Sequence, residues 1–340
     1  MRILKKVVIA IVIVAGLLAV IGFLLPRQVH VERSAVIAAP PSTVFALVNG
    51  YKTFNKWSPW FAIDPAAQYT HEGPEFGVGA RLSWVGDPKT VGSGSQEIID
   101  SRHAEMVRTK LDFGGEGTAT GQFTLAPEGE GTKITWGFDT DLGMNPIGRY
   151  FGLMFDGMIG KDYDKGLAGL KAFAESLPKA DFSDLLIEVV EAAPATVAFV
   201  PASCGKDEQE IARTIGGAYA QVGLFMSKNG LRQASAPITI NNKRDDSGYQ
   251  FDAAIPVDRA PEREVPADSP VQLKQTYAGK ALKVVHRGAY RGMPGSYDKL
   301  MAYVAAHGYE SAGPPWDEYL TDPGKTPDPE LITHIFMPVK

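Results

Sequence analysis

Near the C-terminus two acids stand between aromatic residues, in the order Trp316-Asp317-Glu318-Tyr319. A carboxylate in an aromatic setting has a plain chemical use, because a desolvated cation gains from the negative charge and from aromatic faces together. On a strand, alternation sends Asp317 and Tyr319 to one face and Trp316 and Glu318 to the other, so only one acid of the pair points into a cleft. The competing reading is a pair of solvated acids on an edge strand. Tyr290, and Tyr249 with Phe251 on a strand-like stretch, either wall such a site or fill a core. His286 works as a general base only with a nucleophile in hydrogen-bond reach, and a structural histidine is the plainer reading. The chain has no G-x-S-x-G elbow, no GxxxxGK[ST] phosphate loop and no HExxH. Its single cysteine, Cys204, excludes an intramolecular disulfide and the Cys/His spacing of a zinc site, so no metal and no cofactor is implied. Gly92-Ser93-Gly94-Ser95 precedes a strand and not a helix, and reads as a turn.

The first half has its own aromatic set. Trp57, Trp60, Trp84 and Trp136, with Phe113, Met154 and Met158, either line a pocket or fill a core, and both readings stay open. His103, Asp112 and Glu116 read as solvated positions. With 340 residues, 44% hydrophobic and 21% charged, the chain has the composition of a globular protein and room for about two domains. A net charge of −5 with no basic face argues against a nucleic-acid partner.

The elements that must position these residues begin with an uncharged run, Val7 to Leu25, VVIAIVIVAGLLAVIGFLL, which as a helix is about 28 Å long against a hydrocarbon core of about 30 Å. The alternatives are a buried core helix, which would carry some polar residues, and a cleaved signal peptide, for which no small-x-small site follows. Arg2, Lys5, Lys6 and the α-amino group precede the run, while Arg27 and Arg33 follow it with Glu32 between. This bias predicts a single-pass span of the cytoplasmic (inner) membrane with the N-terminus inside and the rest periplasmic or extracellular.

HVERSAVIA then reads as a strand and PPSTVFALVNG as a helix. Short alternating runs between Gln68 and Asp141 predict an antiparallel meander. Pro146 to Leu177 predicts one long helix, with Phe151, Met154, Phe155, Met158, Ile159, Tyr163, Leu167, Leu170 and Phe173 on its apolar stripe. Such a helix must cover the sheet, leaving a core or a cavity between them. After a linker, strand, helix and hairpin follow in order and then repeat, each unit closing alike, on Ile255-Pro256-Val257 and on Met337-Pro338-Val339.

VERSAVIAAPPSTVFALVNG, YKTFNKWSPW and MIGKDYDKGLAGLKAFAES resemble a START-like SRPBCC, polyketide-cyclase-type, helix-grip domain. HRGAY, SYDKLMAYVAAHGYESAGPPWDEYLTDP and THIFMPV resemble the GyrI-like effector-binding domain of bacterial transcription activators. The expected organisation is an α+β chain with an N-terminal transmembrane anchor at 1–27, a helix-grip domain at 28–177, a linker at 178–184 and a GyrI-like domain of two pseudo-repeated strand–helix–strand–strand units at 185–340. The first resemblance implies a pocket for hydrophobic small molecules or lipids between long helix and sheet, placed here at Trp57, Trp84, Phe113, Trp136, Met154 and Met158. The second implies an aromatic cleft for cationic or planar compounds, placed at Asp317, Glu318, Tyr319, Trp316, Tyr290, Tyr249 and Phe251. That family carries a glutamate two residues before the tyrosine. Asp317 holds the position here, one methylene shorter, and Glu318 takes the role if the register slips. The resemblance therefore leaves a binding protein, a hydrolase of electrophilic compounds with Asp317 or Glu318 as base, and the sensory half of a transcription regulator, the last without a helix-turn-helix pattern to support it.

Overall fold

A computed structural model describes residues 2–340; the Met1 α-amino group and the side chains of Arg2 and Glu116 lie outside the described residues. The chain separates into two compact units, Met1–Ser183 with Ala305–Gly308, and Asp184–Val304 with Tyr309–Lys340.

The apolar run becomes α1 (Arg2–Leu24). Its segment Ile3–Leu24 is long and apolar enough to cross a membrane, about 33 Å at 1.5 Å per residue. Side chains are exposed all round it, as Ile9, Val12 and Leu17 show, which is not the pattern of a core helix.

The first unit continues with β1 (Gln28–Ile37), α2 (Pro41–Val48), α3 (Pro59–Ile63), and the strands β2 (Gln68–Glu72), β3 (Arg81–Val85), β4 (Ser93–Arg102), β5 (Met106–Asp112), β6 (Thr118–Glu128) and β7 (Gly131–Asp141). They form an antiparallel seven-stranded sheet in the order β1-β7-β6-β5-β4-β3-β2, a meander closed by the return of β1 onto β7. Gly92-Ser93-Gly94-Ser95 is mostly strand: β4 starts at Ser93, and the missing Cβ of Gly94 lets the Trp84 ring lie against it.

The long helical stretch is divided into α4 (Pro146–Gly152) and α5 (Phe155–Ser176). The apolar periodicity runs straight across the break, so the sequence predicts one helix. The chain turns at Leu153-Met154 because α4 packs on α1 whereas α5 packs on the sheet. Asn145 caps α4 by accepting from the Gly148 amide at 3.0 Å. From α5, Tyr163, Leu167, Leu170 and Ala174 enter one core with Val31, Ile98, Val107, Phe123, Ile134 and Trp136. Tyr163 stacks on Trp136 with ring centroids 3.9 Å apart. This approach needs a glycine on the helix, since a Cβ at Gly166 would stand 2.7 Å from the Trp136 ring. Gly166→Val is expected to lower the stability of the first unit by about 2 kcal/mol, read as a drop in its melting midpoint, because overpacking against a rigid indole outweighs the helix propensity gained.

The second unit comprises β8 (Ile187–Ala192), β9 (Thr196–Cys204), α6 (Glu208–Lys228), β10 (Ile238–Asp245), β11 (Gly248–Pro256), β12 (Gln272–Gln275), β13 (Gly279–Arg287), α7 (Met293–His307), β14 (Trp316–Tyr319) and β15 (Ile332–Pro338). Its sheet is antiparallel, in the order β12-β9-β11-β10-β14-β15-β13-β8. The repeats β9-α6-β10-β11 and β13-α7-β14-β15 meet where β10 pairs with β14. Each lead-in strand is exchanged: β8 pairs with β13 of the other repeat, and β12 with β9. The exchange adds a strand at each end of the sheet.

Candidate ligand-binding sites

Between sheet and α5 the first unit encloses a cavity of about 710 Å³. Trp57, Trp60, Trp84, Leu111, Phe113, Phe123 and Trp136 contribute its apolar wall, and Met158 and Ile159 come from α5. Of the expected residues Trp57, Trp84, Phe113, Trp136 and Met158 line it. Met154 does not: it sits in the break between α4 and α5 and is exposed. Tyr51 and Trp57 also belong to the lining, yet the Tyr51 hydroxyl and the Trp57 indole N–H are buried without a hydrogen-bond partner. Burial pushes the Tyr51 hydroxyl well above its ordinary pKa, so it is a neutral donor. Unsatisfied buried donors in a cavity wall are satisfied by a water or by a ligand acceptor.

In the second unit Asp317 is 4% exposed. Its Oδ1 accepts from the Tyr297 hydroxyl at 2.7 Å and its Oδ2 from the Asn241 amide at 2.9 Å. Asn241 in turn accepts from the Tyr249 hydroxyl, and Arg244 lies over the Tyr249 ring, 5.2 Å from its centroid. Burial pushes the Asp317 carboxyl up to about 6; the hydrogen bonds from Asn241 and Tyr297 and the charge of Arg244 pull the other way and lose. The same desolvation raises Tyr219, Tyr249 and Tyr297 above the usual phenol range. A ligand reaches Asp317 only if this cluster opens. Tyr290 meets Tyr319 edge-on at 5.4 Å.

Asp317, Tyr319, Tyr290 and Tyr249 thus come together. Phe251 adjoins Tyr249 but is 1% exposed and packed in the core under α6, so it fills space and presents no surface. Trp316 and Glu318 are on the opposite face of β14, where Trp316 stacks on Phe336 at 4.7 Å and Glu318 pairs with His334 at 3.1 Å. They do not wall the Asp317 cluster. Glu318→Gln should therefore leave the affinity for an aromatic cation such as tetraphenylphosphonium within about twofold, by titration calorimetry, since a screened carboxylate on the far face adds little. His286 is held at both nitrogens, by Ser296 Oγ at 2.9 Å and the Ala289 carbonyl at 3.1 Å. The carbonyl can only accept, so Nε2 donates to it.

Tyr297, Tyr219, Asn241 and Thr239 are marked as site residues by no motif or alternation, although the repeat contains them. Gly230 and Gly308, Tyr219 and Tyr297, and Thr239 and Asp317 are each 78 residues apart. Thr239 pairs directly with Asp317 across the sheet, so the pseudo-twofold axis passes through that pair. The Tyr219 hydroxyl is 3.2 Å from Thr239 Oγ1, as that of Tyr297 is 2.7 Å from Asp317. One half of a symmetric frame carries a hydroxyl, the other an acid. Among the described residues no group of three or more His, Cys, Asp or Glu is placed to hold a metal ion.

Fold and sites together define a chain of two small-molecule-binding-type α+β domains behind an apolar helix. Residues 28–175 match the family described as "Polyketide cyclase / dehydrase and lipid transport", and residues 187–340 match the "GyrI-like small molecule binding domain". No curated protein matches the chain. Among solved structures it is similar to EcmrR in a DNA complex (19% identity, TM-score 0.41), covering 46% of this chain and 57% of that one. It is similar also to the EcmrR C-terminal domain (18%, TM-score 0.41, covering 46% and 98%) and to a hydrolase from Listeria innocua (15%, TM-score 0.33, covering 45% and 91%).

Proposed function

We propose that this chain is a membrane-tethered binding protein with two ligand modules, one for a hydrophobic molecule or lipid bearing a hydrogen-bond acceptor and one for an aromatic cation. The observation that carries the reading is the cavity of about 710 Å³, walled by aromatic rings and lined by Tyr51 and Trp57, whose buried donors have no hydrogen-bond partner. Its size suits a ligand of drug or lipid-chain dimensions. In the second module the buried Asp317 among tyrosines supports a cation, which would relieve the cost of its charge. The reading takes α1 as a single-pass anchor, with the N-terminus on the cytoplasmic side and both modules on the outer face of the inner membrane, and sets the boundaries at 1–27, 28–177, 178–184 and 185–340.

Native mass spectrometry of the full chain, released from membranes in mild detergent, tests it. For the first module a bound mass is expected that Tyr51→Phe holds about tenfold more weakly. A wild-type chain that carries no adduct and takes up neither tetraphenylphosphonium nor fatty acid sinks the proposal. A second reading, hydrolysis of an electrophile with Asp317 as general base, draws on a carboxyl whose pKa of about 6 suits proton abstraction near neutrality. Asp317→Asn separates the two, since hydrolysis ends while a neutral aromatic still binds.

A further inference from the structure

Around α4 the first unit leaves a run of large apolar side chains in solvent. Met144, Ile147, Phe151, Leu153, Met154 and Met158 are each between 56% and 73% exposed. The only charged residues between positions 144 and 158 are Arg149 and Asp156. Arg149 is buried, and Asp156 is paired with Arg33 at 3.0 Å. A patch of this kind, contiguous and free of exposed unpaired charge, marks a surface that is covered in use.

The packing of α4 says what covers it. The Tyr150 hydroxyl donates to the Leu18 carbonyl of α1 at 2.8 Å, and a Cβ on Gly22 would stand 2.8 Å from Pro146. Arg149 binds the end of α1: its Nη1 donates to the carbonyls of Phe23 at 2.6 Å and Leu25 at 3.1 Å, while Nε and Nη2 hold the Gly143 carbonyl. These are the carbonyls a helix leaves unpaired at its C-terminus, where a cation is also favoured by the helix dipole. Leu18 precedes Leu25 by seven residues, about 10 Å along the axis, so α4 lies beside the last two turns of the apolar run. A bilayer deep enough to cover α1 as far as Leu25 also covers α4.

The same segment reaches the cavity. Asn145, Phe155 and Met158 line it, flanked by Leu142 and Ile159, and Met158 is exposed as well as lining. We propose that residues 144–158 form an interfacial segment, seated in the leaflet where α1 ends, that holds the mouth of the first unit's cavity against the lipid, so that its ligand enters from the bilayer. Interfacial helices bury their apolar face about 5–10 Å below the headgroups, the depth that the Tyr150–Leu18 contact gives α4. With no exposed basic residue in the segment, seating depends on insertion of apolar side chains and not on anionic lipid. The proposal rests on the reading of α1 as a membrane span.

The test is site-directed spin labelling of the full chain, in a Cys204→Ser background, reconstituted in phosphatidylcholine nanodiscs. Labels go at Phe151→Cys on α4, Ile11→Cys in α1 and Val85→Cys on β3; accessibility to oxygen and to a water-soluble nickel chelate gives depth. The expected result is that positions 151 and 11 favour oxygen and exclude nickel, whereas 85 is open to nickel. If 151 behaves like 85 while 11 is immersed, the interfacial segment is refuted and the anchor stands. If 11 is open to nickel too, the anchor reading itself fails, and this proposal with it. If 151 excludes both reagents, the patch is covered by protein, a second copy or a partner, and the lipid-facing mouth is refuted.

Discussion

Asp317→Asn is expected to stabilise the second unit by about 2 kcal/mol at pH 7 and to flatten its stability between pH 4 and 7. The folded carboxyl titrates near 6, above its value in an unfolded chain. Folding therefore retains a proton over that interval, and the stability the protonated form contributes is lost as pH rises from about 4 through 6. Above 6 the folded unit holds a buried carboxylate whose cost, read from the displacement, is about 3 kcal/mol; the amide removes the charge and returns part of this because its own hydrogen bonds to Tyr297 and Asn241 are less well matched. Urea unfolding of wild type and variant at pH 5 and pH 7 checks it, and a variant with the wild-type slope would refute the burial account. The same charge gives ligand binding the opposite pH dependence. A cation that needs the carboxylate should bind wild type about tenfold more tightly at pH 7 than at pH 5, and the variant should show no such rise, because a carboxyl near 6 is about nine-tenths protonated at pH 5.

The other large effect belongs to the cavity. Ala119 lines it and is 8% exposed, on the face of β6 that looks toward α5. Ala119→Trp places an indole in the space that a ligand would occupy. It should abolish the bound mass of the first module in native mass spectrometry, a loss of affinity of at least about a hundredfold, while costing little stability because the ring enters a void and displaces no packed side chain. If the adduct survives, the ligand lies elsewhere. Tyr51→Phe removes one donor and leaves the wall apolar, so its smaller loss, of about tenfold, measures the hydrogen bond alone.

Much of this architecture is legible in the residues. The alternation of VERSAVI, the meander and the closing Ile-Pro-Val and Met-Pro-Val segments rest on local periodicity, which a chain carries without reference to its neighbours. The division of Asp317 and Tyr319 from Trp316 and Glu318 follows from strand geometry in the same way, and the structure has that division. The resemblance implies Trp316 and Glu318 in one cleft with Asp317, and they are found on the opposite face. Tyr297 and Asn241 were not legible as partners of Asp317, because a helix and a strand 20 and 76 residues away meet it only through the sheet. The 78-residue offset was present in the sequence, and with the register of β10 on β14 it becomes a pseudo-twofold axis.

Met154 and the break between α4 and α5 mark the other limit. An apolar stripe says that a side chain avoids water, not which of a core, a cavity or a bilayer it meets. The stripe continues unbroken through Leu153-Met154, and only the docking of Arg149 and Tyr150 on α1 turns the chain there. By itself the sequence determined the apolar helix, the two α+β domains and the repeat, because each is written in short-range pattern. Tertiary structure alone decided that the first domain keeps a cavity that its tryptophans line and do not close, that Asp317 is buried among tyrosines, and that α4 stands beside the end of α1. These depend on contacts between residues far apart in the chain, and no local period encodes them.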